Sequence, residues 1–425
     1  MVHATALAEK RKSIRIDRKS ALKGKVCFLV AEHPFLDARI FYKEAKSLFS
    51  NGYDVTMIVP RKDGSLVEPS GRLVEDDFLD QTFLYEGVRF VTYNVEKTKS
   101  SYPHQLHCVN TAQIDPLPSL LRELGLKEKA DIYHAHEFSS CYDAIMIKRS
   151  LKQGGKRCRI IYDSHELDLD TRDPLVSQKR QVQKKKLLKN MCKELDAVIT
   201  VSSAIEGVFH QLNSELQTAV LFNSPRLSPL AKRSKPNVPL VLGYVGRMEE
   251  QKGSLDKLYE ILALTEDIQL RVKVIGGPIQ QLKDSIPPSI QERIEWTGWL
   301  SYSQLHHSLA EVDIGWIDVD VSNSLNREYS LPNKFFTYLE RGIPPLVNKC
   351  LEMESFIKRY QCGFVLNHRQ ASSRDYAKVL RNLDENRGFV RTAGLNGREV
   401  MEQTYSWDLM QERLLALYQN LFPTH

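Results

Sequence analysis

The chain has 425 residues, of which 42% are hydrophobic and 26% charged, and its net charge is +6. That length predicts two domains, and the composition is that of a water-soluble globular protein, which argues against a disordered or membrane-embedded chain. The longest apolar runs, such as residues 26–31, are far shorter than a bilayer requires. The first 25 residues lack the apolar core of a secretory signal, so we expect a cytoplasmic protein.

The cysteine pattern agrees with that expectation. Seven cysteines are scattered along the chain, and none forms a C-x-x-C pair. The sequence therefore indicates neither a disulfide framework nor a zinc site.

Strands and helices alternate along the first half of the chain. The apolar periodicity predicts strands at 25–31, 54–60, 88–93, 130–135, 159–163 and 197–202, and helices at 38–50, 117–129, 139–151 and 176–195. The last of these helices is predicted to bury Val182, Leu188, Met191 and Leu195. Such alternation is typical of a parallel sheet with helices on both faces.

The pattern stops in a proline-containing stretch, residues 227–239, and then restarts. Strands are predicted at 240–245, 269–275, 294–296, 314–317 and 345–348, with helices at 254–264, 303–311, 333–341 and 407–421. The predicted fold is α/β, with two tandem doubly wound Rossmann-like domains and a ligand cleft between them. The predicted division is a basic tail (1–24), a first domain (25–226), a linker (227–239), a second domain (240–400) and a C-terminal segment (401–425).

The clearest chemical signal is a glycine turn after the first strand of the second domain. Gly243 and Gly246 precede Arg247, and Lys252 follows at the start of a predicted helix. A strand that opens through glycines into a helix presents backbone N–H groups to an anion, and the two cations reinforce that preference. We expect a diphosphate to bind here.

A second helix start has the same chemistry. Pro332 is suited to the first turn of a helix and Gly342 to its end, with Asn333 and Lys334 at the anion-attracting terminus. A well-capped packing helix explains the same residues equally well. Gly276, after the strand at 269–275, is first a turn residue and second a place for close approach of a ligand.

Two polar clusters follow strands of the first domain. Alternation places His134 and His136 on one side of a strand end, next to Glu137, and a further strand ends at Asp163, His165 and Glu166. Core histidines and capping residues are the plain interpretation; sugar-hydroxyl contacts or an acid–base pair are the alternative. A metal site is weakly indicated by one acid and two histidines.

Basic residues crowd the predicted helix at 176–195. A solvated helix face is the plain interpretation, and an anionic membrane surface is the alternative. Nucleic acid is not expected, because the basic runs lack interleaved aromatics. The residues concerned are Arg180, Lys184, Lys185, Lys186 and Lys189.

Taken together, these motifs resemble the GT-B-fold glycosyltransferases of family four, and in particular the branch that builds bacterial surface polysaccharides. The resemblance extends from about residue 25 to residue 421. It rests on four further segments beside the motifs above: Asp37-Ala38-Arg39-Ile40, Val198-Ile199-Thr200-Val201-Ser202, Phe222-Asn223-Ser224-Pro225 and Tyr405-Ser406-Trp407.

The resemblance implies roles for individual residues. Arg247 and Lys252, with Gly246, would bind the donor diphosphate, and His136 would lie beside the donor sugar. The helix start and Gly276 would approach the nucleotide, whereas the acceptor side would include Asp37, Arg39, Asp163, His165 and Glu166. It also implies retention of anomeric configuration, no bound metal, and a C-terminal helix that crosses back onto the first domain.

One departure concerns the nucleoside. The family has two glutamates eight residues apart, and their positions here are Tyr329 and Thr337. Glu340, one helical turn further on, and Glu328 are the candidate replacements.

The sequence therefore predicts a retaining glycosyltransferase. It would use a UDP- or GDP-sugar, with a cell-surface glycan or lipid-linked precursor as acceptor, at the inner membrane face. A non-catalytic GT-B partner subunit and a GT-B-fold nucleotide-sugar epimerase are the alternatives.

Overall fold

A computed structural model gives the fold of the chain. It describes residues 22–68, 73–74, 81–95, 101–230, 239–247, 254–277, 288–300 and 302–422. Lys252, nearly all of the predicted basic tail and most of the predicted linker therefore lie outside the described residues.

The first unit is built on an eight-stranded sheet of order β3-β4-β2-β1-β5-β6-β7-β8. All its neighbouring strands are parallel except β3 and β4, which pair antiparallel. The strands are β1 (Lys25–Val30), β2 (Asp54–Arg61), β3 (Thr82–Tyr85), β4 (Val88–Asn94), β5 (Ile132–His136), β6 (Arg159–Ser164), β7 (Ala197–Thr200) and β8 (Thr218–Val220).

The second unit is built on a six-stranded parallel sheet of order β11-β10-β9-β12-β13-β14. Its core lies around Leu242, Trp316 and Tyr376. The strands are β9 (Leu240–Arg247), β10 (Leu270–Gly277), β11 (Ile294–Gly298), β12 (Ile314–Ile317), β13 (Pro345–Val347) and β14 (Phe364–Val365).

Helices cover both sheets. In the first half of the chain they are α1 (Lys46–Ser50), α2 (Tyr102–Asn110), α3 (Leu120–Glu128), α4 (Glu137–Gln153), α5 (Gln178–Met191) and α6 (Ser203–Leu212). In the second half they are α7 (Ser254–Leu264), α8 (Pro288–Gln291), α9 (Tyr302–Leu309), α10 (Leu325–Tyr329), α11 (Asn333–Glu340), α12 (Leu351–Tyr360), α13 (Ser373–Glu385), α14 (Arg387–Val400) and α15 (Trp407–Leu421).

The central strands form because their side chains are apolar on both faces. In β1 every residue after Lys25 is buried, and all of β5 is buried, as expected for parallel strands covered by helices on both sides. The predicted alternation of strands and helices is confirmed in both units, with boundaries that differ by a few residues.

The chain divides into two compact units. The first contains the described residues up to Thr171, then Leu175–Leu221, and the described residues from Gln411 onward; the second contains Arg172–Pro174 and Phe222–Met410. The helix α15 therefore begins in the second unit and continues in the first. Among the described residues, no helix is both long and apolar enough to cross a membrane.

Three predicted details are wrong. The helix expected at 38–50 begins at Ile40 with a π-helical segment, Ile40–Ala45, before α1. In α5 the side chain of Val182 is 48% exposed, whereas Leu187, which was not predicted, is buried with Leu188 and Met191. Pro332 precedes α11 in an extended conformation instead of forming its first residue.

Candidate functional site

The carboxyl ends of three neighbouring strands bring the predicted residues of the first unit together. His136 ends β5, and the strand pairing places it between Val30 of β1 and Asp163 of β6. His165 follows β6 directly. Ligands of parallel α/β sheets bind at this end of the strands, so the first candidate site lies here.

Arg39 and Asp163 form a buried ion pair beneath this edge. The guanidinium makes contacts of 3.0 and 3.1 Å to the two carboxylate oxygens, and it donates to the carbonyl of Leu221 at 2.8 Å. Its Nε lies 2.9 Å from Oε1 of Glu44. Both Arg39 and Asp163 were predicted to face the acceptor, and that prediction is wrong for this structure, because both side chains are buried and bound to each other.

The two buried carboxyl groups differ in protonation. Burial alone would raise the pKa of Asp163, but Arg39 and His165 outweigh it and hold that pKa well below its usual range. Burial raises the pKa of Glu44 well above its usual range, and the charge of Asp163 adds to the effect. Asp163 is therefore the charged partner of Arg39, and Glu44 favours its protonated form.

Two buried histidines lie against this pair. Nδ1 of His134 is 2.9 Å from the hydroxyl of Tyr418, and Nδ1 of His136 is 3.1 Å from Nε2 of His165. Burial lowers the pKa of His134 to about 3, and burial together with His134 lowers the pKa of His136 well below its usual value. Both imidazoles are therefore neutral at physiological pH. Among the described residues, Nε2 of His136 has no hydrogen-bond partner.

A second, half-buried cluster at the same edge adds His33, which was not predicted, to Glu137 and His165. Oε1 of Glu137 lies 3.0 Å from Nε2 of His33 and 3.7 Å from Nδ1 of His165. Glu137 has a φ of +72°, which is strained for a residue with a side chain and is characteristic of functional positions. The sequence signal for Glu137 was its place after His136; the link to His33 requires the pairing of β1 with β5 and could not be predicted.

The two remaining residues that were predicted to face the acceptor have different environments in the structure. Oδ1 of Asp37 accepts from the backbone N–H groups of Arg39 and Ile40, at 2.7 and 2.9 Å, and so caps the π-helical segment. Glu166 is exposed, two residues beyond the last strand residue of β6. Of the predicted set, the side chains of Asp37, His165 and Glu166 are partly or fully accessible to solvent.

Some of these side chains have the donor types of a metal site. Atoms of Glu44, His134, His136 and Asp163 lie within 4.8 Å of one another, and so do those of His33, Glu137 and His165. In the buried group the guanidinium of Arg39 already supplies the positive charge beside Asp163 and Glu44, so a divalent ion would be repelled. The geometry of the other group is explained by the hydrogen bond from His33 to Glu137.

In the second unit, glycines form the carboxyl ends of β9 and β10. Gly246 and Gly276 are paired in the sheet and have φ values of +122° and +129°. A Cβ at Gly276 would lie 2.2 Å from the carbonyl oxygen of Gly246, so no larger residue fits without a backbone shift. Arg247 follows Gly246 directly and is the last residue of β9.

The start of α11 reaches the same edge. Nζ of Lys334 lies 3.7 Å above the ring centroid of Tyr244 and 3.7 Å from the position of a Cβ at Gly246. Asn333 is exposed, and the hydroxyl of Thr337 donates to its carbonyl at 3.1 Å. Lys334 and the helix N-terminus therefore give the strand edge at Gly246 a positive charge.

The proposed replacements for the missing acid do not lie in this region. Glu340 is fully buried and accepts from the backbone N–H and hydroxyl of Ser228, at 2.9 and 2.7 Å, and from Arg398 at 3.2 Å. Glu328 is buried and ion-paired with Arg172 and Arg369. Glu340 was predicted to bind the donor; the structure contradicts this, because its carboxylate is inaccessible and stabilises the packing of α11.

Comparison with known proteins shows what the chain is similar to. Residues 38–224 match the sequence model of Glycosyltransferase Family 4. This part of the chain is therefore similar to glycosyltransferase family 4. The family-four segment coincides with most of the first unit, including His136, Asp163 and His165. No curated protein matches the sequence at a significant level.

Solved structures extend the likeness to both units. The chain is similar to sucrose-phosphate synthase from Thermosynechococcus elongatus (15% identity, TM-score 0.65, 94% of this chain and 98% of the other). It is also similar to Anabaena HepE in complex with UDP (13%, 0.64, 93% and 100%) and to the lipopolysaccharide outer core galactosyltransferase WaaB (14%, 0.60, 93% and 99%). The predicted GT-B fold is thereby confirmed.

Proposed function

We propose that the protein transfers a sugar from a UDP- or GDP-sugar to a cell-surface glycan or its lipid-linked precursor, with retention of configuration. The observation that supports this most directly is the glycine-lined, positively charged strand edge of the second unit. Gly246 and Gly276 allow close approach to the backbone, and Lys334 adds a cation at a helix N-terminus, which is how a fold holds a diphosphate. Arg247, the next residue after Gly246 in the chain, would add a second cation. The similarity to HepE, solved with UDP, supports the same ligand class.

Catalysis would then be mainly electrostatic. Arg247, Lys252 and Lys334, with Gly246, Gly276, Pro332, Asn333 and Thr337 around them, would stabilise the charge that develops on the leaving nucleoside diphosphate. His136, neutral and with a free Nε2, would donate or accept a hydrogen bond at the donor sugar. His165 and Glu166 would contact the acceptor. We propose that no metal takes part, so activity should survive treatment with EDTA.

The exposed basic residues of α5 lead to a proposal about membrane binding. On α5 the side chains of Lys185, Lys186 and Lys189 are exposed, and Leu175, just before the helix, is 91% exposed. By contrast, Lys184 pairs with Asp168 at 2.9 Å, and the guanidinium of Arg180 lies 5.4 Å from the ring centroid of Tyr102. We propose that the exposed lysines bind an anionic membrane surface peripherally, at the cytoplasmic face where lipid-linked acceptors lie.

Binding and turnover assays test the proposal. Purified protein should bind UDP or GDP by calorimetry and should consume at least one sugar of a UDP- and GDP-sugar panel when membranes are supplied. Arg247→Ala should weaken nucleotide affinity about tenfold or more, since it removes one charge-assisted contact. The matched control is Arg271→Ala, because Arg271 is an exposed cation near the opposite end of β10.

The outcomes separate the candidate functions. Nucleotide binding without turnover would instead favour a non-catalytic partner subunit. Conversion of UDP-N-acetylglucosamine to an epimer without acceptor would favour an epimerase. Absence of binding to either nucleotide would contradict the transferase.

A further inference from the structure

The carboxyl end of β11 presents a large aromatic side chain to solvent. Trp299 follows the strand directly and is 73% exposed, whereas Trp316 and Trp407 are fully buried. A large apolar ring is normally packed against the protein, so an indole this exposed at a sheet's ligand-binding edge is unusual.

Local backbone geometry places Trp299 over the next strand. The pairing of β10 with β11 shifts register between Val274 and Ile275, and Gly298 has a φ of +70°. The irregular pairing and this turn bring the edge of the indole to β10, where a Cβ at Gly277 would lie 3.5 Å from Nε1 of Trp299. Bulges that aim one side chain are common beside ligand sites.

Between this indole and the proposed diphosphate region, the end of β10 has no side chains. Gly277 and Gly276 end β10, and Gly246 lies beside Gly276 on β9. Because β11, β10 and β9 are consecutive in the sheet, β11 and β9 lie about 10 Å apart, with Trp299 at the end of β11 and Lys334 beside Gly246 of β9. A ribose and an α-phosphate can bridge such a span between a base and a β-phosphate.

We propose that Trp299 stacks on the nucleobase of the donor, with the ribose over Gly276 and Gly277. The inference rests on the proposed function, since it requires a nucleotide at this edge. Stacking on an indole contributes affinity but discriminates little between bases, because every base has a π face. Trp299 therefore holds the base, and the choice between uracil and guanine belongs to other groups.

Calorimetry with UDP and with inorganic pyrophosphate tests the inference. Trp299→Ala should weaken UDP binding by about 5- to 100-fold, the range of one base–aromatic stack. Trp299→Phe should restore most of the affinity, and pyrophosphate binding should be unchanged in both variants. UDP should quench tryptophan fluorescence in the wild type and markedly less in Trp299→Phe. The matched control is Phe389→Ala, which removes another exposed aromatic of the second unit.

Each other outcome contradicts the inference in a recognisable way. If wild-type protein binds UDP and Trp299→Ala binds it equally well, the base does not stack here, while the proposed function stands. If only turnover falls, the indole contacts a sugar. An equal loss of pyrophosphate and UDP affinity would show a general role in the diphosphate region. If the wild type binds no nucleotide, the proposed function fails together with the stack.

Discussion

His134 shows how burial sets the charge of a single side chain. Its pKa of about 3 in the folded protein is far below its ordinary value of about 6.5, so below pH 6.5 the unfolded chain binds a proton that the folded chain does not. The stability that His134 contributes should be complete above pH 6.5 and lost as the pH falls toward 3. Glu44 titrates in the opposite sense, because its folded pKa is raised.

We predict that the unfolding free energy of His134→Asn depends less on pH below pH 6.5 than that of the wild type. Asparagine can still contact Tyr418 but does not titrate. The difference in unfolding free energy between wild type and variant should change by about 1.4 kcal/mol per pH unit below 6.5, in the variant's favour as the pH falls. Urea unfolding from pH 7 to pH 5 measures this. Tyr418→Phe is the control, and its deficit should be independent of pH; a pH-independent deficit for His134→Asn would contradict the prediction.

The contacts of individual residues were predicted less well from the sequence than the helices and strands. Arg39 and Asp163 were both predicted to face the acceptor, but they bind each other, and that pairing joins positions 124 apart in the chain. Polar residue type at a strand end indicates a site and does not say which side chain is buried. For the same reason the role of Glu340, which is bound by Arg398 and Ser228, could not be predicted from its position on a helix.

Among the secondary-structure elements, the paired ends of β9 and β10 tolerate few residue types. We predict that Gly276→Ala lowers stability by about 1–3 kcal/mol, because its Cβ would meet the carbonyl of Gly246 at 2.2 Å and its φ of +129° is strained for alanine. UDP affinity should fall with it. Thermal unfolding and calorimetry measure the two effects.

Gly388→Ala is the matched control for that variant. A Cβ at Gly388, in α14, would have no neighbour within 4 Å, so helix propensity should leave stability equal or about 0.5–1 kcal/mol higher. Equal behaviour of the two variants would show that the close approach of β9 and β10 is not important.

The proposed membrane binding depends on the exposed lysines of α5. Reversing Lys185, Lys186 and Lys189 to glutamate should lower binding to anionic liposomes at least tenfold, since each basic residue contributes about 1 kcal/mol near such a surface. Co-sedimentation at low and physiological salt measures it. The triple reversal of the exposed Lys127, Lys152 and Lys378 changes net charge equally and should have little effect. Unchanged binding of the α5 variant would refute the proposal.

Elements themselves were largely predictable. Buried strands such as β1, β5 and β12 are short apolar runs bounded by polar residues, which periodicity identifies. The edge strand β3, with mixed exposure, and the three-residue β8 were missed because their stability comes from pairing with β4 and β7. In α5, Val182 fits the helical spacing of apolar residues and is nevertheless exposed. Spacing alone therefore does not show which side of a helix packs against the core.

At the scale of the whole molecule, the chain completes its first unit with residues from its far end. Leu414 and Tyr418 of α15 are fully buried there, Tyr418 bonds His134, and Gln411 bonds Ser47 at 2.7 Å. We predict that Leu414→Ala costs about 2–5 kcal/mol and that the loss is confined to the first unit. Hydrogen exchange should rise in β5 and stay unchanged in β12.

The control for this variant lies on the exposed side of the same helix. Gln419→Ala removes a solvent-facing side chain and should leave exchange in both sheets unchanged. Equal acceleration in β5 and β12 after Leu414→Ala would show a global loss of stability and contradict the assignment of α15 to the first unit.

Because α15 is translated after the whole second sheet, the first unit must wait for it to complete its fold. A ribosome releases the strands of the first sheet long before it translates residue 411, and all of residues 222–410 must emerge in between. Throughout that interval the nascent chain lacks the side chains that cover His134 and Tyr53. The first unit can therefore complete its fold only after α15 has been translated, and a pause or stop in translation before that point would expose an unfinished core to chaperones and proteases.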